Sequence, residues 1–194
     1  MIHKLVHRGR VTLAFIFANL FLIIITGVIL SANAQQQNTS PCYHKELDGL
    51  DFLVGDWVID ANARLADGRW EQGPASSQIK RELSQCLLDE RFNGSRTGRP
   101  FSALGIMGFN SVSGKLQKVW SDSEHGVLIL YEGVRNGKEI ILDTEILLNG
   151  NKVKLRNSYL EIANDSFRLE SSRSHDDGKT WITVSKLAYK RKAR

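Results

Sequence analysis

The 194-residue sequence has little of what most enzymes, metal proteins and nucleic-acid binders display: two cysteines, three prolines, two methionines and five histidines. It contains no Gly-x-Ser-x-Gly, no His-Glu-x-x-His and no glycine-rich phosphate loop, so the local signatures of serine hydrolases, zinc peptidases and P-loop nucleotide enzymes are missing. Two distant cysteines and scattered histidines do not supply a tetrahedral ligand set. The net charge of +5 is held at the chain ends, by Lys4, Arg8 and Arg10 at the start and by Lys190, Arg191, Lys192 and Arg194 at the finish. Without residues 1–34 it falls to +2. A nucleic-acid surface needs basic groups clustered along a folded element, and this sequence has no such cluster, so no nucleic-acid partner is expected.

What is there begins with an address. A basic start, a nearly unbroken apolar run over residues 11–30 and an Ala32-Asn33-Ala34 site follow the order of a secretory signal peptide cleaved after Ala34. A run of this length also spans a bilayer, so an uncleaved anchor is the alternative. In both cases the basic start stays on the cytoplasmic side and the body is exported (periplasmic or secreted); the membrane is met only through this segment, if it is uncleaved. Residues 35–45 read as a flexible arm and 46–191 as one domain.

After Gly55 the hydrophobic period becomes two. Trp57, Ile59, Ala61, Ala63 and Leu65 alternate with Val58, Asp60, Asn62 and Arg64, the pattern of a half-buried strand. Before it, Leu47, Leu50, Phe52 and Leu53 can share one face of a short helical turn. Beyond it, runs such as VLILYEGV (127–134), EIILDTEILL (139–148) and KVKLRNSYLEI (152–162) are separated by Asn-Gly, Asp-Gly and Ser-Gly pairs. These include Asn93-Gly94, Ser113-Gly114, Asn136-Gly137, Asn149-Gly150 and Asp177-Gly178, dipeptides suited to tight hairpins. About ten strands joined by short turns predict an all-β, antiparallel up-and-down barrel, which removes sheet edges by closure. A sandwich is the alternative, but it needs Greek-key crossovers.

SHDDGKTW (174–181) has the spacing of the Asp-box of sialidases. A propeller needs several four-stranded blades, and neither the length nor a second copy of the motif supports one. It reads as a hairpin in which Asp176 binds turn amides, Gly178 supplies positive φ and Trp181 packs beneath.

LDFLVGDW (50–57), GRPFSALGIMGFNSVSGKLQKVWSDS (98–123) and SRSHDDGKTWITVSKLAYKR (172–191), in this order, resemble a bacterial family of unknown function built as exported lipocalin-like (calycin) β-barrels. The resemblance covers about residues 46–191. It implies a Trp on the first strand, here Trp57, covered by a basic side chain at the end of the last, here Arg191 or Lys190. More distantly the chain is similar to the nitrobindin-like barrels, which bind haem through a histidine on a late strand. Here His44 precedes the barrel, while His125 and His175 fall in turns, so no cofactor is expected.

Following the apolar phase assigns inward faces: Leu116, Lys118, Trp120 and Asp122; Val127, Ile129, Tyr131 and Gly133; Val153, Leu155, Asn157 and Tyr159; Phe167, Leu169, Ser171 and Arg173; Trp181, Thr183, Ser185 and Leu187. Ala61, Ala63, Ala103 and Gly105 leave room inside. Mostly apolar walls with a few polar groups describe a small-molecule site, and Trp120, Tyr131, Asn157 and Arg173 are the residues expected to line it. Glu90, on the face of Cys86, Leu88 and Phe92, is a charged partner for Arg173. Cys42 and Cys86 form a disulfide in an exported chain, or remain two thiols. The function expected is binding of a small apolar or amphipathic ligand. The alternatives are a barrel isomerase or hydrolase using a buried carboxylate, and an envelope protein with a filled barrel acting through its surface.

Overall fold

Leu47, Leu50 and Leu53 recur every third residue, the repeat of a 3-10 helix, and Lys45–Leu53 forms one with all three leucines buried. The computed structural model describes residues 41–193; the expected leader and residues 35–40 of the arm lie outside the described residues. Nine residues is long for a 3-10 helix, and its carbonyls are held from outside. Arg81 donates to Leu47 O at 2.6 Å, Arg135 to Gly49 O and the Trp57 indole to Leu53 O at 2.8 Å. A disulfide between Cys42 and Cys86, with Cα atoms 5.5 Å apart, ties the chain just before the helix to the barrel.

Ten strands follow: β1 (Gly55–Arg64), β2 (Trp70–Glu82), β3 (Leu87–Arg96), β4 (Arg99–Asn110), β5 (Lys115–Asp122), β6 (Ile129–Asn136), β7 (Glu139–Leu148), β8 (Asn151–Leu160), β9 (Ser166–Ser174) and β10 (Ile182–Arg191). Each pairs antiparallel with its sequence neighbours, and β1 pairs with β10 to close the barrel. The all-β up-and-down barrel expected from the turns is therefore the fold. The helix enters at the end where β1 begins and β10 ends, with Trp57 opposite Arg191. Its buried leucines plug that end; the hairpin turns at 97–98, 149–150 and 175–181 belong to the other.

Under the plug the core is aromatic. Phe167 stacks on Tyr189 at 4.1 Å and meets Trp57 edge-on at 4.9 Å. The Arg191 guanidinium lies 4.4 Å from the centre of the Trp57 ring, a cation–π contact worth ~0.5–2 kcal/mol. It also donates to Val54 O at 2.7 Å and Phe52 O at 3.2 Å, so one side chain locks the last strand to the plug. Gly55, at φ +144°, is required here because a Cβ would collide with that guanidinium.

Two local expectations are corrected. Asn93-Gly94 lies inside β3, and the β3–β4 hairpin turns instead at Thr97-Gly98, both at positive φ. Gly94 serves packing, since a Cβ there would come within 3.0 Å of the Ala75 methyl. In β10 a bulge between Thr183 and Ser185 shifts the phase. Ser185 and Leu187 keep the inward register, whereas Ile182 takes the place opposite Arg173 that alternation from Trp181 and Thr183 does not predict.

The 174–181 hairpin is built as its sequence dictates. Asp176 accepts from the Thr180 hydroxyl at 2.6 Å, the Thr180 amide at 2.8 Å and the Ser174 hydroxyl at 2.8 Å. Gly178 sits at φ +87°, and the Trp181 indole donates to its carbonyl at 3.1 Å. Those bonds, the Thr180 hydroxyl first, lower the Asp176 pKa to about 2. A depressed carboxylate contributes stability above its unfolded pKa and loses it as pH falls through the folded one. The prediction is that the difference in urea midpoint between the native chain and Asp176→Asn stays constant above about pH 5 and shrinks between about pH 4 and pH 2. A difference that does not change over that window refutes the assignment.

Candidate functional site

The barrel interior divides into a filled half and an open half. In the filled half, beneath the plug, polar side chains from five strands meet. Glu90 on β3 accepts from Ser77 of β2 at 2.9 Å and from the Tyr189 hydroxyl of β10 at 3.0 Å. Its other oxygen faces Lys118 of β5 at 3.5 Å, and Lys118 donates to the Tyr159 hydroxyl of β8 at 2.9 Å. The ammonium also lies 4.7 Å from the centre of the Trp120 ring. Lys118 is 2% exposed and Glu90 7%, so each charge depends on the other to stay in the interior.

Gly105 makes this pairing possible. It stands between Glu90 and Trp120 in the sheet, and a Cβ there would come within 3.1 Å of Glu90 Oε2 and 3.4 Å of the Trp120 ring. The bare backbone lets Glu90 reach across β4 toward β5. Burial by itself would lower the Lys118 pKa, but the Tyr159 oxygen and the Glu90 carboxylate outweigh it and raise the pKa, keeping the amine an ammonium. Burial raises the pKa of Tyr131, Tyr159 and Tyr189. None of the three tyrosines is thereby poised as a base near neutrality, and a protonated Lys118 is not a nucleophile. The space left among Glu90, Gly105, Lys118, Tyr159 and Tyr189 is about 10 Å³, room for a water at most.

The other half is open. Ala61, Phe101, Trp120, Ile129, Leu155 and Leu187 carry the inward register yet remain only partly buried. Solvent therefore reaches apolar side chains inside the wall. Tyr131 and Asn157 are buried in the inward phase of β6 and β8, and Asn157 accepts from Ser171 at 2.8 Å.

A second opening lies in the side of the wall. β6 and β7 pair only from Asn136↔Glu139 to Glu132↔Asp143. Beyond that rung lies a cleft of about 520 Å³, lined by inward Ile129, Thr144 and Ile146 together with outward Leu130, Glu132, Asp143 and Glu145. Side chains of both phases line it because it passes between the strands. The sequence explains where the ladder stops. Its last rung sets two carboxylates opposite each other, a destabilising cross-strand pair. Each is held by the strand behind it, Glu132 by Gln117 at 2.6 Å and Asp143 by Arg156 through two bonds of 2.7 Å. One residue toward the plug, Gly133 brings the strands so close that a Cβ would collide with the Ile141 carbonyl.

The residues expected from the sequence to form one site are thus distributed. Trp120, Tyr131 and Asn157 lie at the inner end of the open half. Arg173 keeps the inward phase but is exposed at the rim, and it is not the partner of Glu90. That partner is Lys118, because the register aligns Glu90, Gly105 and the Lys118–Trp120 segment, whereas Arg173 stands near the opposite end of β9. Val127 precedes β6 and is exposed, not inward. Lys118 was visible as a cation in an otherwise apolar phase, and Tyr189 continues the phase of Ser185 and Leu187; Gly105 was visible too, but as room inside the barrel and not as the bare stretch of β4 across which Glu90 reaches Lys118. Among the described residues, no group of three or more His, Cys, Asp or Glu is placed to hold a metal, and no helix is long and apolar enough to cross a membrane.

Comparison with known proteins supports the fold. A family described as "Protein of unknown function (DUF1579)" matches residues 44–191. No curated protein matches the sequence. Among solved structures, that of Rv2717c from M. tuberculosis is similar with a TM-score of 0.58 and 16% identity, covering 80% of this chain and 100% of that one. An S-type phycobiliprotein lyase, CPES, from Guillardia theta gives a TM-score of 0.51 and 11% identity, covering 81% of this chain and 99% of that one. At these identities the likeness is one of fold.

The buried charges give a direct test. Lys118→Met strands the Glu90 carboxylate and is expected to cost ~3–5 kcal/mol of unfolding free energy. Combining it with Glu90→Gln is expected to cost at least about 1 kcal/mol less than the sum of the two single changes. Additive losses in urea denaturation would show that the two groups do not depend on each other.

Proposed function

The chain belongs to the DUF1579 family, and from the geometry of its barrel we propose that it is an exported binder of a small apolar or amphipathic molecule. The observation that carries this reading is the set of inward-facing apolar side chains that solvent can reach at the unplugged end. Beside them the wall carries an open cleft in which Ile129, Thr144 and Ile146 meet the carboxylates of Glu132, Asp143 and Glu145. An apolar body would lie against Ile129, Leu155, Leu187 and the Trp120 ring. Tyr131 and Asn157 would offer hydrogen bonds at the inner end, and Arg173 would stand at the rim to meet an anionic head. Glu90 is removed from this contact set, since its oxygens are already committed to Ser77, Tyr189 and Lys118.

Export is supported by the order of residues 1–34 and agrees with a disulfide between Cys42 and Cys86. The plugged half suits a binder, because a filled, charge-locked floor holds the mouth in shape without a ligand.

Native mass spectrometry of protein isolated from the exported fraction tests the reading. The expected spectrum shows a chain beginning at Gln35, two hydrogens lighter than its reduced form, with an additional mass released on denaturation. Ile129→Lys, which places a charge at the mouth away from the buried ion pair, is expected to weaken recovery of that mass by roughly tenfold or more. A bare native chain after incubation with a total lipid extract would refute the binding function. An intact residue 1 would refute cleavage.

A further inference from the structure

The β6–β7 cleft has a property that a ligand mouth does not require: its lips are strand edges. Residues 144–148 of β7 have no partner on the β6 side, and residues 129–131 of β6 have none on the β7 side. A row of unpaired amides and carbonyls is a template for another strand. The lips are also apolar on their outer faces, with Leu128 79%, Leu130 47% and Leu147 72% exposed. Around them stand the outward carboxylates of Glu132, Asp143 and Glu145, each already bridged by a cation of a neighbouring strand (Lys115, Arg156 and Lys152) yet still partly exposed and able to accept a second one.

The opposite edge of β7 shows what such a strand accepts. There β8 runs antiparallel, turning Val153 and Leu155 inward while Lys152 meets Glu145 at 2.9 Å and Arg156 meets Asp143 at 2.7 Å on the outside. We propose that β7 takes a second strand on its free side, an extended segment of a partner protein that alternates inward apolar residues with outward lysine or arginine. Backbone pairing supplies the attraction and the alternation supplies the selectivity, as in other cases of strand addition. The inference stands on the unpaired edge and its charge pattern, independent of the small-molecule reading. A second copy of this chain would bring the same acidic lips face to face, which opposes pairing. An anionic bilayer would meet the same carboxylates.

The probe is a fluorescent peptide with the sequence of residues 152–156, Lys-Val-Lys-Leu-Arg, titrated into the full chain and followed by anisotropy. Saturable binding is expected. Methylating alternate amide nitrogens, which removes donors but keeps charge and apolar surface, is expected to weaken it about tenfold, the worth of one or two hydrogen bonds. Glu145→Lys is expected to weaken it by a similar factor, about tenfold, through charge reversal at the lip. Equal binding of the methylated peptide would overturn the proposal in favour of simple adsorption. Flotation with phosphatidylcholine vesicles in the absence of peptide binding would overturn it in favour of a lipid surface. A dimer in sedimentation without peptide binding would assign the edge to a second copy. Using protein stripped of small molecules keeps this outcome separate from that of the mass spectrometry, so either reading can fail alone.

Discussion

A carboxylate and an ammonium face each other inside the barrel, and the architecture is arranged around keeping both there. Charges taken from water must be compensated locally or they destabilise the fold by several kcal/mol. Here the compensation comes from across the barrel: a hydroxyl from β2, phenols from β8 and β10, and the Trp120 ring on β5. The result is a polar girdle spanning the cross-section. On its plug side lies a dense aromatic core; on the other, the wall stays open. The same Trp120 that covers the ammonium faces the open half, so the floor of the proposed site and the lid of the ion pair are one side chain.

The plug obeys a similar logic at the level of backbone. A 3-10 helix of nine residues satisfies its own carbonyls poorly. Three arginines from different strands and one indole supply the missing donors. The leucine face drives the segment into the barrel, and the arginines fix where it stops. The disulfide then joins the chain ahead of the helix to the turn that leads into β3.

Much of the fold was legible because it depends on local chemistry. Alternation gave the strands, and Asn149-Gly150 and Asp177-Gly178 marked hairpins whose positive φ angles are present in the structure. Short connections left little choice but a meander. Asn93-Gly94 misled for a physical reason: a glycine chosen for interior packing looks the same in sequence as one chosen for a turn. The site was less legible. Glu90 was visible as a charge in an apolar phase, but its partner depended on which strands lie two apart and on whether the strand between them carries a side chain. Gly105 decided that in favour of Lys118. The β10 bulge, which no single residue announces, set the phase at the rim.

The interrupted β6–β7 ladder gives the molecule an uneven stiffness. A closed barrel behaves as a hoop, and its resistance to distortion depends on an unbroken ring of backbone bonds. Near the plug that ring is complete, and it is drawn tight where Gly133 meets β7. Toward the mouth it is slit. Strain applied at the rim can therefore be taken up by bending the two lips, without loosening the girdle or the plug. The mouth is thus the end of the fold at which local opening is expected to cost least.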